Sequence, residues 1–300
     1  METCIAIEHL TRRFGRTVAV DDLCLEVGRG RVLGLLGPNG AGKSTTIGML
    51  AGLIRPTSGS VSLFGMPLNR HFLEIMAKTG VLVERPSFPE YLTVRRVLKL
   101  HALMAGCAGD AVDGAMARTG LTEAAGEKVG TLSQGMRQRL GIAQAILAEP
   151  ELLILDEPTS GLDAESTRQI LVFLKKLASE AGVTILFSSH QMTEVEQLCD
   201  MVAVMRRGRL IACETKASLL SRDFTRATVL LDRAGDAVAA LRGQSWVSDA
   251  AEAPEGLQVV LCGAETDTLS AFLVERGFRL SGVIPGQASL EEYFFKVTGA

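Results

Sequence analysis

A run of eight residues, Gly37-Pro38-Asn39-Gly40-Ala41-Gly42-Lys43-Ser44, constrains this chain more than anything else in it. It fits the pattern GxxxxGK[ST]. Glycines let a backbone curl until successive N–H groups converge on phosphate oxygens. Lys43 then supplies a point charge to the β- and γ-phosphates, and Ser44 offers a hydroxyl to Mg2+. The setting agrees. Val32 to Leu36 is an unbroken apolar run, as expected of a buried strand feeding a tight turn. A helix from about Lys43 to Leu50, with Thr45 in its first turn, adds its positive end to the loop. An ordinary glycine-rich turn is the alternative. Even with 31 Gly among 300 residues, a chance match to the full pattern is rare, so Gly37 to Ser44 and the adjoining Thr45 are read as a nucleotide-binding loop.

A second acidic element follows. The apolar run Leu152-Leu153-Ile154-Leu155 ends in Asp156-Glu157. Asp156 can hold Mg2+, directly or through water, and Glu157 can orient or deprotonate an attacking water. Alone, an apolar run followed by two acids is a strand entering a loop. Beside the phosphate loop it is the expected second half of a P-loop ATPase.

The remaining chain supports an α/β reading. The composition is 47% hydrophobic and 22% charged, which excludes wholesale disorder. Net charge is -3, so no overall basic field exists to hold a polyanion, which argues against a dedicated nucleic-acid binder. Cys4 to Leu10, Leu23 to Val27, Val81 to Val83, Val183 to Phe187 and Met201 to Met205 are further strand candidates. Between about 85 and 148 strand signals give way to helical spacing, as in Met136, Leu140, Ala143 and Leu147. Residues 1–220 carry 24 Lys+Arg against 23 Asp+Glu, whereas 221–300 carry 7 against 11. There strands at Ala227 to Leu231, Leu257 to Leu261 and Leu280 to Ile284 alternate with helices at Ala237 to Leu241, Thr268 to Arg276 and Ser289 to Val297, predicting a small α+β domain. Arg206-Arg207-Gly208-Arg209 is read as a solvated hairpin. The six cysteines lack CxxC spacing and read as reduced thiols. The start of the chain has no basic stretch followed by an apolar one, so no signal peptide is expected, and no apolar run approaches the roughly 20 residues a spanning helix needs.

Three further stretches narrow the class. Leu132-Ser133-Gln134-Gly135-Met136 places Ser133 23 residues before Asp156, Ser160-Gly161-Leu162-Asp163 follows the carboxylate pair, and Ser188-Ser189-His190 ends the next strand candidate. With Gly37 to Ser44 and Asp156-Glu157, this ordered set resembles the nucleotide-binding subunit of ABC transporters over residues 3 to 220. The resemblance implies a P-loop ATPase domain (1–220) with a helical insertion (85–148), followed by a small accessory domain (221–300). It also implies a head-to-tail dimer that sandwiches two ATP molecules with Mg2+. Each nucleotide sits on the phosphate loop of one subunit and under the signature of the other. Ser133 is then an N-cap, and Gly135 lets the backbone approach the γ-phosphate. His190 senses the γ-phosphate and places water with Glu157, while Asp163 orders the interface near the opposite site. Phe14, 23 residues before Gly37, stands where the family carries an aromatic that stacks on adenine, a core position being the alternative. Val20 is expected to pack on the base as well.

One position departs from the common pattern. Where most members carry Gln after the strand Val81-Leu82-Val83, this chain has Glu84, which still offers an oxygen to metal or water but adds a charge. The run from Gly80 to Thr93 resembles the branch that exports bacitracin, lantibiotics and related drugs, and the ending Ser289 to Gly299 resembles drug- and peptide-exporter ATPases. A subunit without a spanning helix needs a separate membrane permease, which would hold it at the cytoplasmic face of the plasma membrane. Phe88, Tyr91 and Leu92, flanked by Pro86 and Pro89, are candidate docking residues, a locally packed loop being the alternative. The rival function is a solitary regulatory ATPase of the same class. Translation factors carry two cassettes per chain, and DNA-repair ATPases insert long coiled coils where only about 90 residues without heptads intervene here.

Overall fold

The computed structural model describes residues 2–287 apart from 84–85, 109, 217, 219–223 and 255. The expected helix at Ser289 to Val297 therefore lies outside the described residues, and so does Glu84. The chain divides into two compact units, Met1–Glu214 and Thr215–Ala300.

The first unit is built on a six-stranded sheet in the order β10-β9-β3-β8-β7-β6. Its strands are β3 (Val32–Leu36), β6 (Thr79–Leu82), β7 (Leu152–Leu155), β8 (Thr184–Ser189), β9 (Met201–Arg206) and β10 (Arg209–Thr215). The pairs β3·β8, β3·β9, β7·β8 and β6·β7 are parallel. Strands β3 and β7 are buried along their whole length, which explains their continuous apolar sequences. The parallel sheet brings the chemistry together, because the C-terminal ends of β3, β7 and β8 lie side by side where Gly37, Asp156 and His190 follow.

A second, antiparallel sheet joins β1 (Thr3–Phe14), β2 (Thr17–Gly28), β4 (Ser58–Leu63) and β5 (Met66–Pro67) in the order β2-β1-β4-β5. Strands β1 and β2 extend well past the expected Cys4 to Leu10 and Leu23 to Val27. His9 (φ 49°) and Asp22 (φ 54°) adopt left-handed backbone, and the register shifts beside them. These irregularities break the two-residue period on which a strand is recognised. Val20 is fully buried in the core shared by the two sheets. It cannot stack on a base, which corrects that expectation.

Helices α1 (Lys43–Leu50), α2 (Phe72–Met76), α3 (Val94–Ala105), α4 (Ala111–Thr119), α5 (Gln134–Ala145), α6 (Ala164–Ala181) and α7 (Met192–Leu198) complete the unit. Helices α3, α4 and α5 account for the helical stretch read between 85 and 148. Arg207 (φ 51°) and Gly208 (φ 81°) form the turn from β9 to β10, the expected hairpin, and Arg209 donates twice to Asp21 Oδ2 at 2.9 and 2.7 Å.

The second unit runs β11 (Phe224–Leu231), helix Ala234–Leu241, β12 (Val247–Ala253), β13 (Gly256–Cys262), helix Thr266–Glu275, β14 (Leu280–Gln287). Its antiparallel sheet has the order β12-β13-β11-β14, a ferredoxin-like arrangement. Ala227, Val229, Leu257, Val259 and Leu261 pack against Leu269 and Leu273 in its core. Strand β12 went unread because it is a polar sheet-edge strand whose residues are exposed or half-buried. None of the six cysteines is joined in a disulfide.

Candidate functional site

The phosphate loop leaves β3 at Gly37 and enters α1 at Lys43. Pro38, Asn39, Gly40 and Ser44 are exposed, Thr45 is half-buried, and Ala41 is buried against the core. Gly42 sits at φ 105°, and a Cβ there would lie 2.5 Å from the Ala19 carbonyl oxygen. Both the backbone angle and the space demand glycine, so the curl of the loop depends on it. The loop therefore curls at the N-terminus of α1 with Pro38, Asn39 and Gly40 exposed, a geometry that suits phosphate.

Lys43 is 5% exposed. Its Nζ donates to the carbonyls of Gly37 (2.8 Å) and Pro38 (3.3 Å) and lies 3.7 Å from Glu157 Oε1. Burial lowers its pKa from the ordinary value of 10.5, and the nearby carboxylates of Glu157 and Asp156 oppose that shift. Glu157 also meets His190, whose Nδ1 is 3.3 Å from the same Oε1. Lys43, Glu157 and His190 thus converge on one carboxylate oxygen, although 114 and 33 residues separate Glu157 from the other two in sequence. Glu157 is 28% exposed and His190 45%, so both remain open to a small molecule.

Asp156 is buried at the end of β7. Its Oδ1 accepts a hydrogen bond from Ser188 Oγ at 2.5 Å. The same hydroxyl accepts from the Glu157 backbone N–H at 2.9 Å. Ser189 Oγ donates to the buried Glu194 Oε2 at 2.6 Å and accepts from the Gln191 backbone N–H at 2.9 Å, which ties down the turn that carries His190. Glu194 was not singled out from sequence, and Ser188 was read only as part of the stretch before His190. Their roles come from pairing across strands and across a turn, which linear spacing does not reveal.

Mg2+ fits the donors present. Asp156 and Ser44 offer hard carboxylate and hydroxyl oxygens. Among the described residues no group of three or more His, Cys, Asp or Glu is placed to hold a metal ion.

Ser133 is exposed and N-caps α5, accepting from the Met136 N–H at 3.2 Å. Gln134 Nε2 donates to the Ser160 carbonyl at 3.4 Å. A Cβ on Gly135 would lie 2.9 Å from Ser166 Oγ. Asp163 N-caps α6, accepting from Ser166 N (2.9 Å) and Ser166 Oγ (2.8 Å), and these bonds hold its pKa below the usual value. The Ser133–Gly135 tip and the Asp163 turn therefore pack together within one chain, with their polar ends exposed. Phe14 is 46% exposed, and the Arg12 guanidinium lies 4.3 Å from its ring centroid, so it is a surface aromatic and not a core one. Phe88 packs edge-on to His101, with centroids 6.1 Å apart, whereas Tyr91 is 74% exposed. No described helix is long and apolar enough to cross a membrane.

The fold and this cluster define an ATPase of the ABC class. Residues 20–160 match the family model described as ABC transporter. The chain is 38% identical over 303 residues to the uncharacterized ABC transporter ATP-binding protein YdbJ of Bacillus subtilis, spanning 100% of this chain and 96% of that protein. It is 37% identical over 301 residues to the bacitracin transport ATP-binding protein BcrA of Bacillus licheniformis, spanning 100% and 98%. The solved structure of cbiO1 from Clostridium perfringens, part of the ABC transporter complex cbiONQ, superposes with a TM-score of 0.66 at 28% identity, covering 73% of this chain and 91% of that one. The chain belongs to the ABC transporter ATP-binding proteins; it binds and hydrolyses ATP.

Proposed function

We propose that this chain energises a separate membrane permease that exports a drug, peptide antibiotic or lipid-like molecule. The convergence of Lys43 and His190 on Glu157 is the observation that carries the ATPase half of this reading. Full-length similarity to a bacitracin transport ATP-binding protein supports the export half.

In this reading Gly37 to Thr45 wrap the phosphates, and Lys43 exchanges its loop carbonyls for β- and γ-phosphate oxygens. Phe14 offers its face to adenine. Glu157 orients a water and takes its proton as the oxygen attacks the γ-phosphorus. The bond to the β,γ-bridging oxygen breaks, and ADP and phosphate result. His190 holds the γ-phosphate and keeps Glu157 in place. Asp156 and Ser44, with Glu84 as a further oxygen, would hold Mg2+, which would supply neutralisation of the negative charge that develops in the reaction.

Two copies, or this chain and a paired ATPase subunit, close head to tail. Ser133 and Gly135 of one then cap the nucleotide of the other, and Asp163 lies at the seam. The exposure of Ser133 supports this, since the α5 N-terminus carries a neutral cap and faces solvent, and exposed Asp163 is open to a partner surface. We assign 1–220 to the ATPase domain, 85–148 to its helical subdomain and 221–300 to an accessory domain. Exposed Tyr91 and half-buried Leu92 face a permease at the cytoplasmic side of the membrane, while Phe88 anchors their loop on His101.

The test is to search beside this chain's gene for a reading frame with several membrane-spanning segments and to reconstitute the two products together. ATPase activity in vesicles should rise when a cationic or peptide antibiotic is added, and a Tyr91→Ala chain should bind the permease more weakly. A chain that hydrolyses ATP yet associates with no membrane protein would instead support the solitary regulatory ATPase.

A further inference from the structure

We infer that Ser188 is a positioning residue of the ATPase site: its single hydroxyl locks the Asp156 carboxylate to the turn that presents Glu157. The inference rests on the roles proposed above for those two acids.

Strands β7 and β8 run parallel with Leu155 opposite Phe187. The next residue on each strand is Asp156 and Ser188, so the sheet itself sets the two side by side. Ser188 is completely buried. A hydroxyl has one proton to donate and lone pairs to accept with. Ser188 donates its proton to Asp156 Oδ1 at 2.5 Å and accepts the Glu157 N–H at 2.9 Å.

That second bond lands on an unusual residue. Glu157 holds a left-handed backbone, φ 45°, which residues with a Cβ seldom adopt. Such strain persists where the surroundings over-determine it. The turn aims the Glu157 side chain back at Lys43 and His190. Ser188 grips its first N–H, and so reaches the carboxylate through the backbone without touching it. Ser189 serves a different turn, through Glu194 and Gln191. The two adjacent serines therefore divide the work: one holds the acidic pair, the other the histidine.

Without the hydroxyl, the buried Asp156 oxygen loses its donor and the Glu157 N–H its acceptor. The turn is then free to relax toward an ordinary backbone angle, and Glu157 drifts from its water. Phosphate binding rests on the loop and Lys43, which Ser188 does not contact.

The test uses the purified full-length chain. S188A should lower kcat about 10- to 100-fold, the range seen when residues that orient active-site ligands are lost. ATP affinity should stay near that of the parent, while the melting temperature should fall modestly, since two buried polar groups lose their partner. The Glu157 backbone amide, followed by NMR, should exchange with solvent faster in S188A. S188T keeps the hydroxyl on a β-branched side chain suited to a strand, and should restore both turnover and slow exchange. Should S188A not fold, S188C, similar in volume but a weak donor, carries the same comparison. Unchanged kcat and unchanged exchange in S188A would overturn the inference. Parallel loss of affinity, melting temperature and kcat, with no recovery in S188T, would also overturn it and make Ser188 a packing residue. Glu157→Gln separates the levels. If it stops turnover while S188A does not, the inference alone fails; if it turns over normally, the proposed role of Glu157 fails and the inference goes with it.

Discussion

Glu157→Gln should lower ATP hydrolysis by about 100- to 10,000-fold, the range general-base catalysis supplies, while ATP binding is kept or tightened. The chemistry follows from one oxygen. Glu157 Oε1 is the atom on which Lys43 and His190 both converge, at 3.7 and 3.3 Å. A carboxylate there can take a proton from water; an amide of the same shape cannot. Glu157 also lies 3.7 Å from the Lys43 ammonium, to which the proposed function assigns the phosphates. Gln removes that competing charge while leaving the turn, fixed through the backbone N–H and Ser188, in place. ATP should therefore bind at least as well and stay unhydrolysed, and the head-to-tail pair should accumulate. Single-turnover hydrolysis with light scattering in the presence of ATP checks both halves. Near-normal turnover would remove Glu157 from the reaction, and a monomeric ATP complex would remove the pairing.

The parts of this site legible in the sequence are those whose chemistry is written along one continuous stretch. Gly37 to Ser44 carries its glycines, lysine and hydroxyl in one unbroken run, and β3 and α1 fall where the apolar run and the lysine place them. Asp156-Glu157 ends a strand buried on both faces, and an all-apolar run of four is hard to read otherwise. Ser133 was readable as a cap because an N-cap is a local device, and the Met136 N–H bond bears it out. What stayed hidden depends on which strands become neighbours. Ser188 acquires its role because β8 lies next to β7, and Glu194 because a short helix folds back on Ser189. The closeness of Gly135 to Ser166 likewise arises from two helix N-termini meeting in space. The left-handed residues His9 and Asp22 hid half of β1 and β2 for a related reason, since a bulge interrupts the alternation while leaving the hydrogen-bonded ladder in place.

Lys43→Ala should weaken ATP binding by about 10- to 100-fold, the worth of a charge-assisted hydrogen bond or two. The fold should survive, because a buried cation is itself expensive. Burial lowers the Lys43 pKa, with Glu157 and Asp156 resisting. Between that lowered value and the ordinary 10.5, the unfolded chain binds more protons than the folded one. This group's contribution to stability therefore rises with pH across the window, and its burial penalty is fully present below it. Alanine removes the penalty, so the melting temperature at neutral pH should not fall. Nucleotide reverses the balance. Phosphate oxygens favour the ammonium and raise its pKa, so ATP binding in the alkaline window should draw a proton from solution, and affinity should decline as pH climbs. Calorimetry in two buffers of different ionisation enthalpy measures that uptake directly. It should be present in the parent and in Glu157→Gln, and absent in Lys43→Ala. Equal ATP affinity in parent and Lys43→Ala, with no proton uptake in either, would mean that the cradle holds its phosphates by backbone alone and that Lys43 is an internal counter-charge for Glu157.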